Sequence, residues 1–383
     1  MESSKKEGEG GRNSMPRILI VSVKAGAGHL KAAEAVEAAF MKYQPGVIIK
    51  NLDLLDYSNE LIKYLYGKMY LDIVKAFPEL YAYSYKHYQS SKKFIKPRFL
   101  IDRFNFSDFF GMVEDFNPDI VIATHFISEA VTENYRRKKK KRFKIAVTLT
   151  DYEFHPVWLF SNVDLYFTAT EEVGRGLLFY GIPPDKIVTS GIPIHPKFSE
   201  EKDREELLVK YGLSNQSPVI LISAGSFGVT PLAEVIGDFG AIKDEFQIMV
   251  VCGNNPKLRK DLEINQKSEP RLKKVFGFVD FMDELMALSD LLITKPGGIT
   301  VSESMAVGVP MIFIEPIPGQ EEANADYLVE QGVGVKARNL PVLLYKLGLL
   351  VRNPRKLADM SKRAKAISRP YAAKMIGEET MNL

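Results

Sequence analysis

The sequence predicts an α/β protein made of two doubly wound lobes, each with its own parallel sheet, and three observations carry that expectation. Residues 17–23, Arg-Ile-Leu-Ile-Val-Ser-Val, form a short β-branched run that breaks at Gly26 and Gly28, and an alanine-rich helical pattern follows from Leu30 to Tyr43. The same order returns in the second half, where the apolar run at 218–223 leads into Ala224-Gly225-Ser226-Phe227-Gly228 and a helix-compatible stretch from Pro231. Short apolar runs separated by helical or turn-rich sequence fill the rest, as parallel strands require, because only a crossover can join them.

Taken in order, the first-half strand candidates after residues 17–23 are Val47–Leu52, Ile120–Ala123, Lys144–Leu149 and Leu165–Ala169. Those of the second half are 218–223, Gln247–Cys252, Leu291–Thr294 and Met311–Ile314. The strand pattern stops near Pro196–Arg204, where charges dominate, so the lobes are expected at 15–198 and 199–353. A last helix, roughly Pro354–Ala373 within a segment 354–383, is expected to cross back to the first lobe. Residues 1–14 are polar and glycine-bearing and read as a flexible tail, not a signal peptide.

Length and composition agree with two cores: 383 residues, 46% of them hydrophobic. The 51 basic and 48 acidic residues nearly cancel to +3, so no nucleic-acid partner is expected from charge. A single cysteine, Cys252, excludes an internal disulfide and suits a reducing cytoplasm. No apolar run reaches the roughly 20 residues that span a bilayer, so any membrane contact is expected from the side.

Two segments depart from the rhythm. Residues 57–110 alternate aromatic and basic side chains, among them Tyr64, Tyr66, Lys68, Tyr70, Tyr81, Lys92 and Arg98. Such helices can lie in a lipid headgroup layer, or simply pack their rings inward with cations in water. The basic run Arg136–Arg142 reads either as a membrane or phosphate patch or as a solvated helix end.

Three loops carry chemistry. The first, Lys24-Ala25-Gly26-Ala27-Gly28-His29-Leu30-Lys31, has glycines for a tight turn and a helix N-terminus that favours negative charge. It lacks both the phosphate-loop lysine spacing and the dinucleotide pattern, although Asp53 keeps a nicotinamide enzyme open as an alternative. His29 at the helix entrance can reach a cleft and stay neutral enough to take a proton, or be structural. In the second loop, Thr294-Lys295-Pro296-Gly297-Gly298-Ile299-Thr300-Val301-Ser302-Glu303, a strand ends, a turn exposes amides and a helix is expected from about Thr300. Glu303 can accept hydrogen bonds from vicinal ribose hydroxyls, or close a capping box with Thr300. The third, Pro318-Gly319-Gln320-Glu321-Glu322-Ala323-Asn324, offers amides and carboxylates suited to sugar hydroxyls.

Together with Gly191-Ile192-Pro193-Ile194, these motifs resemble, in order and spacing, the monogalactosyldiacylglycerol synthases and processive diacylglycerol glucosyltransferases, from Ile18 to about Val335. The resemblance implies a GT-B fold, two Rossmann-like lobes facing across a cleft, with nucleotide in the C-terminal lobe and acceptor in the N-terminal one. It implies His29 as general base. It implies a UDP-sugar site at Gly28, Gly225, Ser226, Val279 beside Phe278, Lys295, Gly298, Ile299, Thr300 and Glu303, with Gln320, Glu321 and Asn324 on the hexose. Asp151, His155 and Trp158 match its His-Pro-x-Trp acceptor segment. Where the family usually has arginine, this chain has His195, so that residue is not carried over as a diphosphate ligand.

The implied reaction is inverting transfer of glucose or galactose from a UDP-sugar to the hydroxyl of diacylglycerol. It would run at an anionic membrane surface, on the inner face of the cell membrane, without cofactor or catalytic metal, since no Asp-x-Asp pair is present. A UDP-sugar epimerase of the same fold, a transferase with another lipid acceptor and a non-catalytic lipid or nucleotide binder are the rivals.

Overall fold

A computed structural model of the chain describes residues 15–383, apart from 25, 65–104, 161, 224–235, 268 and 315. The expected tail, most of the aromatic and basic segment, and Gly225 and Ser226 therefore lie outside the described residues.

Two six-stranded sheets organise the molecule. The first holds β1 (Arg17–Ser22), β2 (Ile48–Asp53), β3 (Ile120–Ala123), β4 (Lys144–Thr148), β5 (Leu165–Thr168) and β6 (Ile187–Thr189), in the order β2-β1-β3-β4-β5-β6. The second holds β7 (Val219–Ser223), β8 (Gln247–Val251), β9 (Leu272–Phe276), β10 (Leu291–Thr294), β11 (Met311–Ile314) and β12 (Gly334–Ala337), in the order β12-β11-β10-β7-β8-β9. All the described pairings are parallel.

The helices of the first half are α1 (Ala27–Tyr43), α2 (Glu60–Lys63), α3 (Ser107–Phe116), α4 (Phe126–Lys139) and α5 (Glu171–Phe179). Those of the second are α6 (Arg204–Tyr211), α7 (Pro256–Asn265), α8 (Met282–Leu288), α9 (Gly298–Val307), α10 (Gln320–Glu330), α11 (Leu340–Val351), α12 (Pro354–Ile367) and α13 (Ala372–Met381).

The central strands are apolar on both sides because helices cover both sheet faces. On β1, Leu19 and Val21 enter one core cluster while Ile18 and Ile20 enter another. On β7, Val219 and Leu221 face that first cluster and Ile220 and Ile222 a third. The first cluster is continuous between the lobes, running through Tyr152, Ile192, Ile194 and Ile299.

The last helix departs from its expected form. A single helix over Pro354–Ala373 is replaced by α12 and α13, broken at Arg369-Pro370. Proline has no amide to donate and disfavours helix at the residue before it. The break turns α13 onto α1 of the first lobe, where Ile376 joins Val36 and Phe40 in one cluster and Lys374 Nζ sits 5.4 Å over the Tyr43 ring.

In each sheet the strand order reverses beside its first strand, between β1 and β3 and between β7 and β10. Open α/β sheets bind ligands in the crevice at the carboxyl ends of such strand pairs. Those ends are Ser22 and Ala123 in one lobe and Ser223 and Thr294 in the other, so the glycine loops of the sequence fall on the two switch points.

Two surface segments fall where the sequence raises the expectation of membrane contact. The chain leaves the carboxyl edge of the first sheet through α2, and residues 65–104 are bracketed by a clasp: Asn59 donates its backbone amide to Asn105 O (3.1 Å) and its Nδ2 to Asn105 Oδ1 (2.8 Å). Leu61 and Tyr64 are exposed beside that clasp. The basic run ends α4, where Arg136 binds Asp164 and the Phe143 carbonyl, and Lys139 lies 3.6 Å from Glu114. Cations there complement the negative end of the helix dipole. A helix rises about 1.5 Å per residue, so this end lies about 20 Å from His125 at the other end of α4, toward the opposite edge of the sheet. Among the described residues no helix is long and apolar enough to cross a membrane.

Candidate active site

The first switch point is built around His29. Its Nδ1 lies 2.7 Å from the carbonyl of Thr124, at the end of β3, and 3.1 Å from Thr150 Oγ1, beyond β4. A carbonyl can only accept, so Nδ1 carries the proton and Nε2 keeps its lone pair. Thr124 answers with its hydroxyl, donating to the His29 carbonyl at 3.0 Å. Loss of hydration lowers the His29 pKa to about 4 despite the carbonyl bond. The sequence attributed neutrality to the helix end; burial is the main cause. Asp53, the one residue that kept a nicotinamide site open, instead caps backbone: its Oδ1 accepts from Lys24 N at 3.1 Å and Leu55 N at 3.0 Å.

The second switch point is the start of α9. The helix begins at Gly298 with Gly297 as N-cap and no side-chain cap. The expected start at Thr300 and its capping box with Glu303 are thereby corrected: the Pro-Gly-Gly turn already delivers helical geometry, and Glu303 moves to the second turn. The first-turn amides of Gly298, Ile299 and Thr300 have no carbonyl a turn earlier to bond. That bare positive end suits a diphosphate. Glu303 is 5% exposed, and no hydrogen bond from a described residue reaches its carboxyl group. Burial raises its pKa to about 7, against the pull of Lys31 and Lys197. Val279 packs partly buried on the core while Phe278 is largely exposed in the loop after β9.

The two switch points face each other. A Cβ on Gly28 would lie 3.9 Å from Ile299, and one on Gly298 only 2.1 Å from the Thr150 carbonyl oxygen. Across this contact Gln320 Nε2 donates to Asp151 Oδ2 at 2.5 Å, and Asn324 Nδ2 to Asp151 Oδ1 at 3.4 Å and Pro296 O at 3.2 Å. Asn324 Oδ1 accepts from Tyr152 N at 2.8 Å, the Tyr152 hydroxyl meets Ser302 Oγ at 2.8 Å, and its ring stacks on Tyr327 at 5.1 Å.

These contacts tie several of the expected site residues to the protein's own framework. Asn324 is fully buried and both ends of its amide bond to protein, so it braces the lobes. Trp158 is 4% exposed, edge-on to Phe126 in the core. His155 caps the following turn, accepting from Val157 N. Glu321 Oε2 accepts from Ile317 N at 2.7 Å, and its Oε1 lies near Gly297. Lys295 lies within electrostatic reach of Glu321.

Burial raises the Asp151 pKa to about 6, more than its two amide donors lower it. A carboxyl group whose folded pKa lies above the ordinary 3.8 holds its proton more tightly when buried. Its contribution to stability is therefore full below that value and is lost as pH rises through about 6. The melting temperature is expected to fall between those two values by an amount that Asp151→Asn removes; an unchanged slope in the variant would count against Asp151 as the source.

Sequence comparison decides the family. A model described as monogalactosyldiacylglycerol (MGDG) synthase matches residues 29–194, and one described as glycosyltransferase family 28 C-terminal domain matches 219–376. A processive diacylglycerol beta-glucosyltransferase from Bacillus pumilus is 31% identical over 372 residues, 96% of this chain and 95% of its own. Its counterpart from Bacillus cytotoxicus is 35% identical over 366 residues, 94% of this chain and 91% of its own. The chain belongs to the processive diacylglycerol glucosyltransferase family.

Solved structures agree on the fold of this glucosyltransferase family member. Acinetobacter baumannii MurG superposes with a TM-score of 0.62 at 16% identity, covering 96% of this chain and all (100%) of that one. A UDP-GlcNAc 2-epimerase from Neisseria meningitidis superposes with a TM-score of 0.60, also at 16% identity and with the same coverage of 96% and 100%. MurG and the epimerase thus share the two-lobed GT-B architecture with this chain, and the fold alone does not separate a transferase from an epimerase. In this family member His125, to which no sequence motif points, is the further residue at the first switch point, with its ring 4.5 Å from that of His29.

Proposed function

We propose that the protein transfers a hexosyl group, glucose in the first instance, from its UDP-sugar to the hydroxyl of diacylglycerol with inversion at the anomeric carbon. The observation that carries this reading is the opposition of His29, with Nε2 unprotonated, to the uncapped start of α9. His29 removes the hydroxyl proton as that oxygen attacks, and the departing UDP is met by the amides of Gly298, Ile299 and Thr300, with Lys295 adding positive charge. Relatives named beta-glucosyltransferases favour glucose, and a β product from an α-linked donor means inversion. No step in this mechanism requires a metal, so activity is expected to survive EDTA.

Acceptor and donor meet only where a lipid surface meets water. The enzyme therefore works peripherally, at the inner face of the cell membrane, with the anionic surface as its platform. Exposed Leu61 and Tyr64 beside the Asn59–Asn105 clasp support the carboxyl edge of the first sheet as the membrane side. The basic end of α4, toward the opposite edge, does not serve that orientation.

The test is incubation with UDP-glucose or UDP-galactose and diacylglycerol vesicles, with the product identified by mass and anomeric configuration. Glucosyl lipid in the β configuration is expected. Conversion of the UDP-sugar with no lipid present would instead make the protein an epimerase.

Glu303 gives a second check. Ribose hydroxyls donate to the ionised carboxylate, so UDP binding lowers a pKa that stands at about 7 in the free protein and releases a proton. UDP affinity is expected to rise with pH through 7 and then level off. Glu303→Gln should flatten that profile in calorimetry, and a profile identical to the wild type would remove Glu303 from the ribose site.

A further inference from the structure

We infer that His125 is a positioning residue for His29, a wall that fixes the ring of the base so that its Nε2 faces the cleft. β1 and β3 are neighbours in register, Val21 beside Ala123, so the loops leaving them emerge side by side. His29 comes from the first loop and Thr124 and His125 from the second. The Thr124 carbonyl accepts a hydrogen bond from His29 Nδ1, and the His125 ring stands against the His29 ring at an interplanar angle of 86°. Both polar contacts of the ring, to the Thr124 carbonyl and Thr150 Oγ1, are made at Nδ1, so they hold one end of the ring and leave the Nε2 end free to rock. An edge-to-face neighbour removes the freedom.

His125 is itself immobilised. Its Nδ1 accepts from Ile127 N at 3.1 Å, its carbonyl accepts from Ser128 Oγ at 2.7 Å, and its ring stacks on Phe126 at 4.4 Å. It is the N-cap of α4 and 4% exposed. Because Nδ1 accepts, the neutral ring carries its proton on Nε2, and no hydrogen bond from a described residue takes that proton. Burial and the neighbouring His29 both disfavour a charge on His125. The groups bonded to His29 Nδ1, on Thr124 and Thr150, carry no charge. The site thus holds two neutral imidazoles, one of them free to take a proton.

The inference rests on His29 being the base, and the experiment separates the two. His125→Ala, His125→Phe and His29→Ala are assayed for kcat, KM for UDP-glucose and the pH dependence of kcat, with folding followed by circular dichroism and UDP binding. His125→Ala is expected to lose about 30-fold in kcat, the scale on which misplacement of a reacting group acts, with KM little changed. Water entering beside His29 should also move the acid limb of its profile up, toward the ordinary histidine range. His125→Phe restores the ring and should recover most of the lost rate. Wild-type kcat and an unmoved acid limb in His125→Ala, beside an inactive His29→Ala, would overturn the inference alone. Full activity in His29→Ala would overturn the reading beneath it. A His125→Phe variant as inactive as His29→Ala would also overturn it, because His125 would then act through its nitrogen.

Discussion

Replacing His29 by alanine is expected to lower kcat for hexosyl transfer by about 10³-fold, within the range removed when a general base is lost, with the KM for the UDP-sugar nearly unchanged. The asymmetry follows from position. The uncapped amides that suit the diphosphate lie on α9, in the other lobe, and Gly28 touches that helix only through Ile299 at a distance an alanine would tolerate. His29→Ala removes the proton acceptor and leaves those amides in place. Single-turnover assays with saturating donor make the check, and kcat within a few-fold of the wild type would exclude His29 as base. The pH profile adds a signature. With a pKa of about 4, His29 is already unprotonated well below neutrality, so no inflection of kcat due to His29 is expected near 6.5. A half-buried base makes this trade: it is unprotonated at working pH, and it is a weaker base than an exposed one.

The second large effect is expected from one methyl group. Gly298→Ala would put a Cβ 2.1 Å from the Thr150 carbonyl oxygen and 3.1 Å from Ile192 Cδ1. The first contact is with backbone, which no rotamer change relieves, so either the lobes part or the end of β4 moves. The same Thr150 places its hydroxyl against His29 Nδ1, and moving it disturbs the base. A misplacement of about 1 Å costs on the order of 10²-fold in rate, and that is the loss expected in kcat/KM. Alanine keeps its amide, so UDP binding should persist, and both sheets should retain their circular dichroism. Gly297→Ala is the control. Its Cβ would meet nothing closer than Glu321 Oε1 at 3.8 Å, so it should be much milder; equal losses in the two variants would mean that the close approach to Thr150 is not the cause.

Much of this arrangement is legible in the sequence, and what is not has physical reasons. Central strands such as Ile120–Ala123 and Leu291–Thr294 are apolar on both faces and announce themselves. β6, β9 and β12 escaped notice, and all three are edge strands, where one side meets solvent and residues such as Lys273, Lys274 and Lys336 interrupt the run. The capping-box pattern at Thr300 and Glu303 was matched correctly as a pattern, but Gly297 and Gly298 start the helix earlier. Gln320, Asn324 and Asp151 were each singled out for substrate, yet their mutual bonds across the lobes depend on pairing between distant segments, which no local window contains. His125 had a readable signal, a histidine at the end of an apolar run opening a helix. Its meaning required the strand order, because only the adjacency of β1 and β3 puts it against His29.

The chain passes between the lobes twice, once after Ile194 and again at Arg369-Pro370. Gly191, with φ of +90°, lies directly under Arg369, where a Cβ would come within 2.5 Å of the arginine Cβ, so the two passages run side by side. Two adjacent tethers join the lobes at one place, like a fulcrum, and constrain sliding of one lobe past the other more than swinging about that place. Ile192, only 3.1 Å from where a Gly298 side chain would begin, puts the Thr150–Gly298 contact close to that fulcrum. Any obstruction there works on the short arm of a lever whose long arm is the mouth of the cleft. A displacement smaller than a bond length at the pivot is magnified where lipid and sugar must meet, so the tolerance for extra atoms is smallest at the one position where this chain has none to spare.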